Sequence, residues 1–162
     1  MSQYFQEVLE PPNPSFGNLP ICPFFAKVRV QNKILHKVYA FSKIDLVEGS
    51  QLNKFIHEFM ESTHHEVLHV IHPKEPLMSL IEFQAFMEKL NCMISAQGLI
   101  AFGGHPDNPI SIKNVSTRSE PFVNFTLQPK KEVLLARKLL SETDYYRNWT
   151  PEDLQCIEFP ED

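Results

Sequence analysis

The stretch SLIEFQAFMEKLNCMISAQGLIAFGG, residues 79–104, decides the fold class because a helix pattern runs directly into a strand pattern. Ser79 and Glu82 have the spacing of a capping box, which is typical of a helix N-terminus. Gly98 is a residue type that commonly ends helices, so we predict one long helix between Ser79 and Gly98. The apolar run 99–103 then predicts a buried strand. A helix that leads straight into a buried strand is typical of α/β architecture.

The same alternation of helix and strand extends in both directions from this stretch. Toward the N-terminus, residues 34–42 and 66–71 have strand patterns, and residues 50–63 carry the i, i+3, i+4 apolar stripe of an amphipathic helix. Toward the C-terminus, residues 122–127 predict a fourth strand and residues 130–142 predict a further helix. The predicted order is therefore strand, helix, strand, helix, strand, strand, helix.

This order of elements predicts the architecture of the domain. Helices between the first three strands imply right-handed crossovers and parallel pairing. We therefore predict an α/β (α+β) fold, namely a ferredoxin-like two-layer sandwich with a mixed sheet of about four strands and helices mainly on one face. With 162 residues and 43% hydrophobic composition, the chain fits a single α/β domain over residues 21–162. Residues 1–20 contain four prolines and predict an extended proline-rich arm.

Charge and composition exclude several classes of function. The net charge is −5 and no run of lysines or arginines could follow a phosphate backbone, so we expect no nucleic-acid partner. No apolar stretch approaches the roughly 20 residues that span a bilayer, and the N-terminus does not resemble a signal peptide, so we expect no membrane association. The three cysteines are far apart and odd in number, which favours free thiols in a reducing, cytoplasmic compartment.

Familiar metal and nucleotide motifs are missing from the sequence. HHEVLHVIH, residues 64–72, concentrates four histidines, but their spacing matches no zinc motif, and we interpret them as dispersed, singly hydrogen-bonded side chains. Neither of the common glycine-rich phosphate-binding motifs is present. We therefore assign no metal ligands, and the cofactor stays unknown.

Two short segments carry side chains that suit a binding or catalytic site. Cys22 begins a segment, residues 22–30, that we interpret as a short helix, and the N-terminal amides of such a helix would lower the pKa of the thiol. His105 and Asp107 follow the strand over 99–103. Because open α/β sheets bind ligands at the carboxyl ends of their parallel strands, this loop is a candidate ligand site.

A third segment adds Arg118 and Ser119, which precede the fourth predicted strand. A guanidinium matches the geometry of carboxylates and phosphates, a cysteine supplies a nucleophile or soft ligand, and a histidine supplies a base or ligand. Each candidate also has a structural alternative. Cys22 could be buried in the core, His105 could be the exposed shoulder of a Pro-Asp turn, and Arg118 could pair with a surface carboxylate.

The three segments resemble, in the same order, the motifs of a bacterial family of uncharacterised proteins. That family carries C-P-F-A-K near its start, H-P after a strand, and an N-R-S-P-Y-P-type segment before a final helix. The counterparts here are CPFFAK at 22–27, HPD at 105–107 and TRSEPF at 117–122. The resemblance assigns no reaction, but it implies one pocket shared by Cys22, His105 and Arg118.

We therefore predict a protein that binds or converts a small anionic molecule in a pocket near Cys22, His105 and Arg118. As an enzyme it would use Cys22 as nucleophile, His105 as proton carrier and Arg118 as anchor, with Asp107 and Ser119 also at the ligand; the sequence leaves open whether it is an enzyme. One alternative is a non-enzymatic interaction module or homodimer, in which the arm and the acidic tail EFPED contact a partner. Another alternative is haem or metal binding through Cys22 and a histidine.

Overall fold

The structure, a computed structural model, describes residues 5–74, 78–118 and 121–155. Ser119, Cys156 and the acidic tail therefore lie outside the described residues. The strands are β1 (Pro12–Asn13), β2 (Leu19–Pro20), β3 (Ile34–Val38), β4 (Val67–Ile71), β5 (Leu99–Gly104), β6 (Ile110–Ile112), β7 (Val115–Arg118) and β8 (Asn124–Pro129). The helices are α1 (Phe25–Val30), α2 (Gln51–Glu61), α3 (Leu80–Ser95), α4 (Lys130–Ser141) and α5 (Pro151–Gln155). Single helical turns occur at Phe5–Leu9, Pro14–Phe16, Lys43–Asp45 and Asp144–Tyr146.

The main sheet has four strands in the order β3, β4, β8, β5, which confirms the predicted mixed sheet of an α/β sandwich. β3 and β4 pair in parallel, as their connection through α2 predicts, whereas β8 is antiparallel to both β4 and β5. β5 therefore runs in the same direction as β4 without touching it. Parallel pairing of all three strands was wrong, because the buried strand β8 occupies the position between β4 and β5.

One face of this sheet holds the main core and is covered by α2 and α3. Both helices begin at a serine N-cap, and Ser79 and Glu82 form the predicted capping box at the start of α3. Phe86 on α3 is fully buried and stacks on Phe41 with ring centroids 4.7 Å apart. A side chain at Gly103 would lie 2.9 Å from Met87 Sδ, so only a glycine lets β5 approach α3 this closely.

The opposite face of the sheet, which we call the second face, is built from different residues. Because side chains alternate along a strand, Ile34 and His36 on β3 and Val67 and His69 on β4 point away from the main core. α1 covers the apolar end of this face. The cluster there contains Phe25, Val28, Ile34 and Val67, with Leu9 and Cys22 packed against it.

The N-terminal region forms a hairpin rather than the extended arm that its prolines predict. β1 pairs antiparallel with β2, and Phe16 in the turn between them is fully buried against the ring of Tyr145, 5.2 Å away. Gly17 has a φ of +65°, and a Cβ there would lie 2.8 Å from the backbone carbon of Asp144. The hairpin is therefore packed tightly on the segment that follows α4.

A second hairpin, β6–β7, lies between β5 and β8, where the sequence predicts no helix or strand. Its turn residues Lys113 and Asn114 have φ values of 47° and 65°. Two successive residues with positive φ are typical of the tight turns that join antiparallel strands. Strands this short show too little alternation to be recognised from sequence, so only the asparagine in the turn signalled the hairpin.

Among the described residues no helix is both long and apolar enough to cross a bilayer.

Candidate functional site

Cys22 lies in an apolar environment before α1 instead of at its start. The helix begins at Phe25, and the backbone amide of Cys22 donates to the carbonyl of Leu9 at 3.1 Å. Burial raises the pKa of the Cys22 thiol to about 11, the charge of Glu10 raises it further, and a backbone hydrogen bond with Phe25 opposes the shift. The predicted lowering of this pKa was therefore wrong, because loss of solvation outweighs the helix terminus. At neutral pH Cys22 is a protonated thiol rather than an activated nucleophile.

An ion pair close to Cys22 ties the N-terminal region to α1. Arg29 donates from Nε to one carboxylate oxygen of Glu10 at 2.6 Å and from Nη2 to the other at 2.8 Å. This two-pronged geometry is the strongest form of an arginine–carboxylate pair. It holds a negative charge beside the thiol, which further disfavours a thiolate.

His105 is buried, with 2% of its surface exposed, so its alternative role as the exposed shoulder of a turn is wrong. Its Nε2 lies 2.9 Å from the carbonyl of Met78, and its Nδ1 accepts the backbone N–H of Asp107 at 3.1 Å. These partners occupy both ring nitrogens, because Nε2 donates to the carbonyl and Nδ1 accepts the amide proton. His105 connects the loop after β5 to the residues before α3, which is a structural role.

The structure places Cys22, His105 and Arg118 on separate elements. Cys22 packs on the second face beside edge strand β3, whereas His105 follows the opposite edge strand β5 and contacts Phe83 of α3. Arg118 ends β7, in a separate two-stranded sheet. β4 and β8 lie between the two edge strands, so Cys22 and His105 belong to opposite edges of the main sheet.

A histidine pair that sequence reasoning missed lies on the second face. The Nδ1 atoms of His36 and His69 are 3.1 Å apart, so one ring donates to the other. His69 is fully buried, whereas His36 is exposed on the edge strand β3. Each histidine is the third residue of its strand, and the parallel register of β3 and β4 aligns them. The interpretation of the histidines at 64–72 as dispersed, singly hydrogen-bonded side chains is therefore wrong for His69.

The environment keeps both imidazoles uncharged at neutral pH. Burial, and secondarily the neighbouring His36, lower the pKa of His69 to about 4, while a hydrogen bond with Asn124 opposes the shift. Burial also lowers the pKa of His36. One proton between the two Nδ1 atoms completes their hydrogen bond. A further proton would put a positive charge on the pair, and burial disfavours that charge.

A polar cleft, defined by Pro14, Gly17, Asn18, Lys113, Asp144, Arg147 and Asn148, lies between the two hairpins and the turn after α4. Its volume is about 370 Å³. Lys113 Nζ donates to Asn148 Oδ1 at 2.7 Å, and Asn148 Nδ2 donates to the carbonyl of Ser15 at 2.8 Å. Two cations and one carboxylate therefore face a volume that suits a small ligand.

The structure shows no preformed metal-binding site in the part of the chain that it describes. Over residues 5–74, 78–118 and 121–155, no three histidine, cysteine or acidic side chains converge in a way that could hold an ion. The alternative of haem or metal binding through Cys22 and a histidine stays a prediction.

Comparisons with protein-family models, with curated proteins and with solved structures find no significant match to this chain. The family resemblance of the CPFFAK, HPD and TRSEPF segments therefore stays a prediction. The candidate site has to be interpreted from its own geometry.

Proposed function

We propose that the protein binds a small anionic molecule in the polar cleft. The observation that carries this proposal is the convergence of Lys113 and Arg147 on one cleft of about 370 Å³. Lysine provides a point charge, and arginine provides a planar fork that matches a carboxylate or a phosphate. This site replaces the pocket at Cys22 and His105 that the sequence predicts.

The carboxylate of Asp144 limits which functional groups the ligand can carry. Asp144 lines the same cleft as the two cations, which leaves one net positive charge for the ligand. A carboxylate repels a bare anion but accepts a hydrogen bond from a hydroxyl or ammonium group. The ligand class that satisfies all three side chains is a small phosphate or carboxylate that also carries a hydroxyl or amino group.

Binding rather than conversion is proposed because the lining contains neither a cysteine nor a histidine. Elsewhere, the Cys22 thiol has a pKa raised to about 11, and both nitrogens of His105 are already hydrogen-bonded. A protonated thiol is a poor nucleophile, and a histidine with both nitrogens hydrogen-bonded has none left to act as a base.

The test is a thermal-shift and calorimetric screen against inorganic phosphate, phosphorylated sugars, hydroxy acids and amino acids at low salt. We expect a hydroxylated or amino anion to raise Tm, and Lys113→Gln and Arg147→Gln each to weaken its binding at least about tenfold. Asp144→Asn should weaken hydroxylated ligands while improving inorganic phosphate. Lys54→Gln, an exposed lysine on α2, is the matched control. Equal binding by the cleft variants and the control, or no binding across the screen, would overturn the proposal.

A further inference from the structure

The solvent-facing side of α4 exposes apolar side chains in a helical pattern. Leu135 and Leu139, one turn apart, are 51% and 50% exposed. Beside them lies a groove of about 500 Å³ lined by Leu134, Leu135 and Gly98 together with three lysines, which we call the α4 groove. A half-exposed leucine is ordinary by itself, but two at helical spacing next to a groove form a continuous apolar surface.

Lysines surround this apolar surface. Lys130, Lys131 and Lys138 all line the α4 groove, in a chain whose net charge is −5. The backbone amide of Lys130 donates to the carbonyl of Gly98 at 2.8 Å, which fixes the first turn of α4 against the wall of the groove. The local charge of the groove is thus opposite to that of the whole protein.

Helix stability does not explain the two lysines at the start of α4. Lys138 lies in the last turn, where a cation interacts favourably with the helix dipole. Lys130 and Lys131 lie in the first turn, where the dipole favours anions, and the N-cap Pro129 makes no side-chain capping bond. The dipole therefore disfavours both lysines there, and Glu132 is the favourable charge in the same turn.

We propose that the α4 groove is a docking site for an acidic peptide segment of a partner protein. Apolar side chains of that segment, three or four residues apart, occupy the surface of Leu134, Leu135 and Leu139. Its carboxylates meet the lysines at the rim. A shallow apolar surface with lysines beside it suits a short peptide, whereas a nucleic acid would need a longer basic track. This proposal is independent of the polar cleft.

A selection experiment tests the chemistry of the occupant directly. A displayed library of random dodecapeptides is panned on the full wild-type chain and counter-selected on the charge-reversed variant Lys131→Glu/Lys138→Glu. We expect enrichment of acidic peptides with apolar residues three or four positions apart. Absence of enrichment, or enrichment of basic or uncharged peptides, would overturn the proposal.

Charge-swap binding then tests the location. By fluorescence anisotropy, the enriched peptide should bind the charge-reversed variant at least about tenfold more weakly, and a peptide with its acidic residues changed to lysine should recover binding to that variant. Leu135→Asn should weaken binding, whereas Ile81→Asn on α3, where Ile81 is 79% exposed, should not. Unchanged circular dichroism and Tm show that the variants fold.

Two other occupants have distinct signatures, and either one would overturn the proposal. A second copy of this chain as occupant would give a dimer mass by light scattering that Leu135→Asn reduces to a monomer. A lipid surface as occupant would give cosedimentation with phosphatidylserine vesicles that the enriched peptide does not displace.

Discussion

The two faces of the main sheet use the same strands for different purposes. On the covered face, Phe41, Phe86 and Phe125 pack ring against ring beneath α2 and α3. On the second face, the corresponding positions hold the His36–His69 pair, and α1 brings the Cys22 thiol against the neighbouring apolar residues. The comparison teaches that two faces of one sheet can differ in what they bury. The covered face is packed by aromatic rings, whereas the second face buries a titratable imidazole beside its apolar cluster.

The largest expected effect comes from opening the covered face. Phe86→Ala removes a fully buried ring that stacks on Phe41, so we expect the free energy of unfolding to fall by about 3–5 kcal/mol. The measurement is urea unfolding at neutral pH. Phe24→Ala is the control because Phe24 is 41% exposed and should cost much less. Equal losses in the two variants would contradict the placement of the main core.

Acidification should destabilise the second face through His69. The pKa of His69 is about 4 in the folded protein against 6.5 for the free side chain, so the unfolded chain binds more protons between these values. The stability that His69 contributes is therefore present above about pH 6.5 and is lost as the pH falls to about 4, a loss of about 3 kcal/mol. Urea unfolding from pH 7 to pH 4 measures it. His69→Gln should flatten the profile, while His57→Gln, exposed on α2, should not. An unchanged acid slope in His69→Gln would argue against a buried neutral imidazole.

Thiol reactivity compares a half-buried cysteine in an apolar environment with an exposed one. Cys22 has a pKa near 11 through burial, whereas Cys92 is exposed on α3. Because only the thiolate reacts, two pKa units predict roughly hundredfold slower alkylation of Cys22 at pH 8 than of an ordinary thiol. Iodoacetamide labelling followed by peptide mass spectrometry, in a Cys156→Ser background, gives both rates. Fast labelling of Cys22 in the folded protein would restore the nucleophile hypothesis.

The smallest expected loss of stability comes from replacing two glycines, and it distinguishes the cost of close packing from the cost of a positive φ. Gly17 and Gly49 both have positive φ, at 65° and 80°, but only Gly17 lies against another backbone. Gly49→Ala should cost about 1 kcal/mol through its conformation alone, and Gly17→Ala should cost more because it also displaces the β1–β2 hairpin from Asp144. Urea unfolding compares the two costs, and limited proteolysis within residues 10–20 reports on the hairpin. Indistinguishable stability and cleavage would mean that the hairpin is not held at Gly17.

Features that depend on neighbours in the sequence could be predicted well. The capping box of Ser79 and Glu82 and the apolar stripe of α2 involve residues within one or two helical turns, so their pattern is visible in the chain itself. The alternating strands β3, β4 and β8 follow for the same reason. Cys22 and His105 were recognised as unusual, but their protonation states were not, because burial and hydrogen bonding by distant segments set them.

By itself, then, the sequence determined the helices, the strands of the main sheet and the α/β class, since short-range hydrogen bonding and hydrophobic periodicity encode them locally. Only the tertiary structure decided which side chains meet. His36 and His69 are brought together by the register of two strands, and Lys113 and Arg147 by the packing of the β6–β7 hairpin beside the segment that follows α4. The physical reason is that desolvation and Coulomb interactions depend on distance in space. For residues far apart in the chain, that distance is set by how the elements pair and pack.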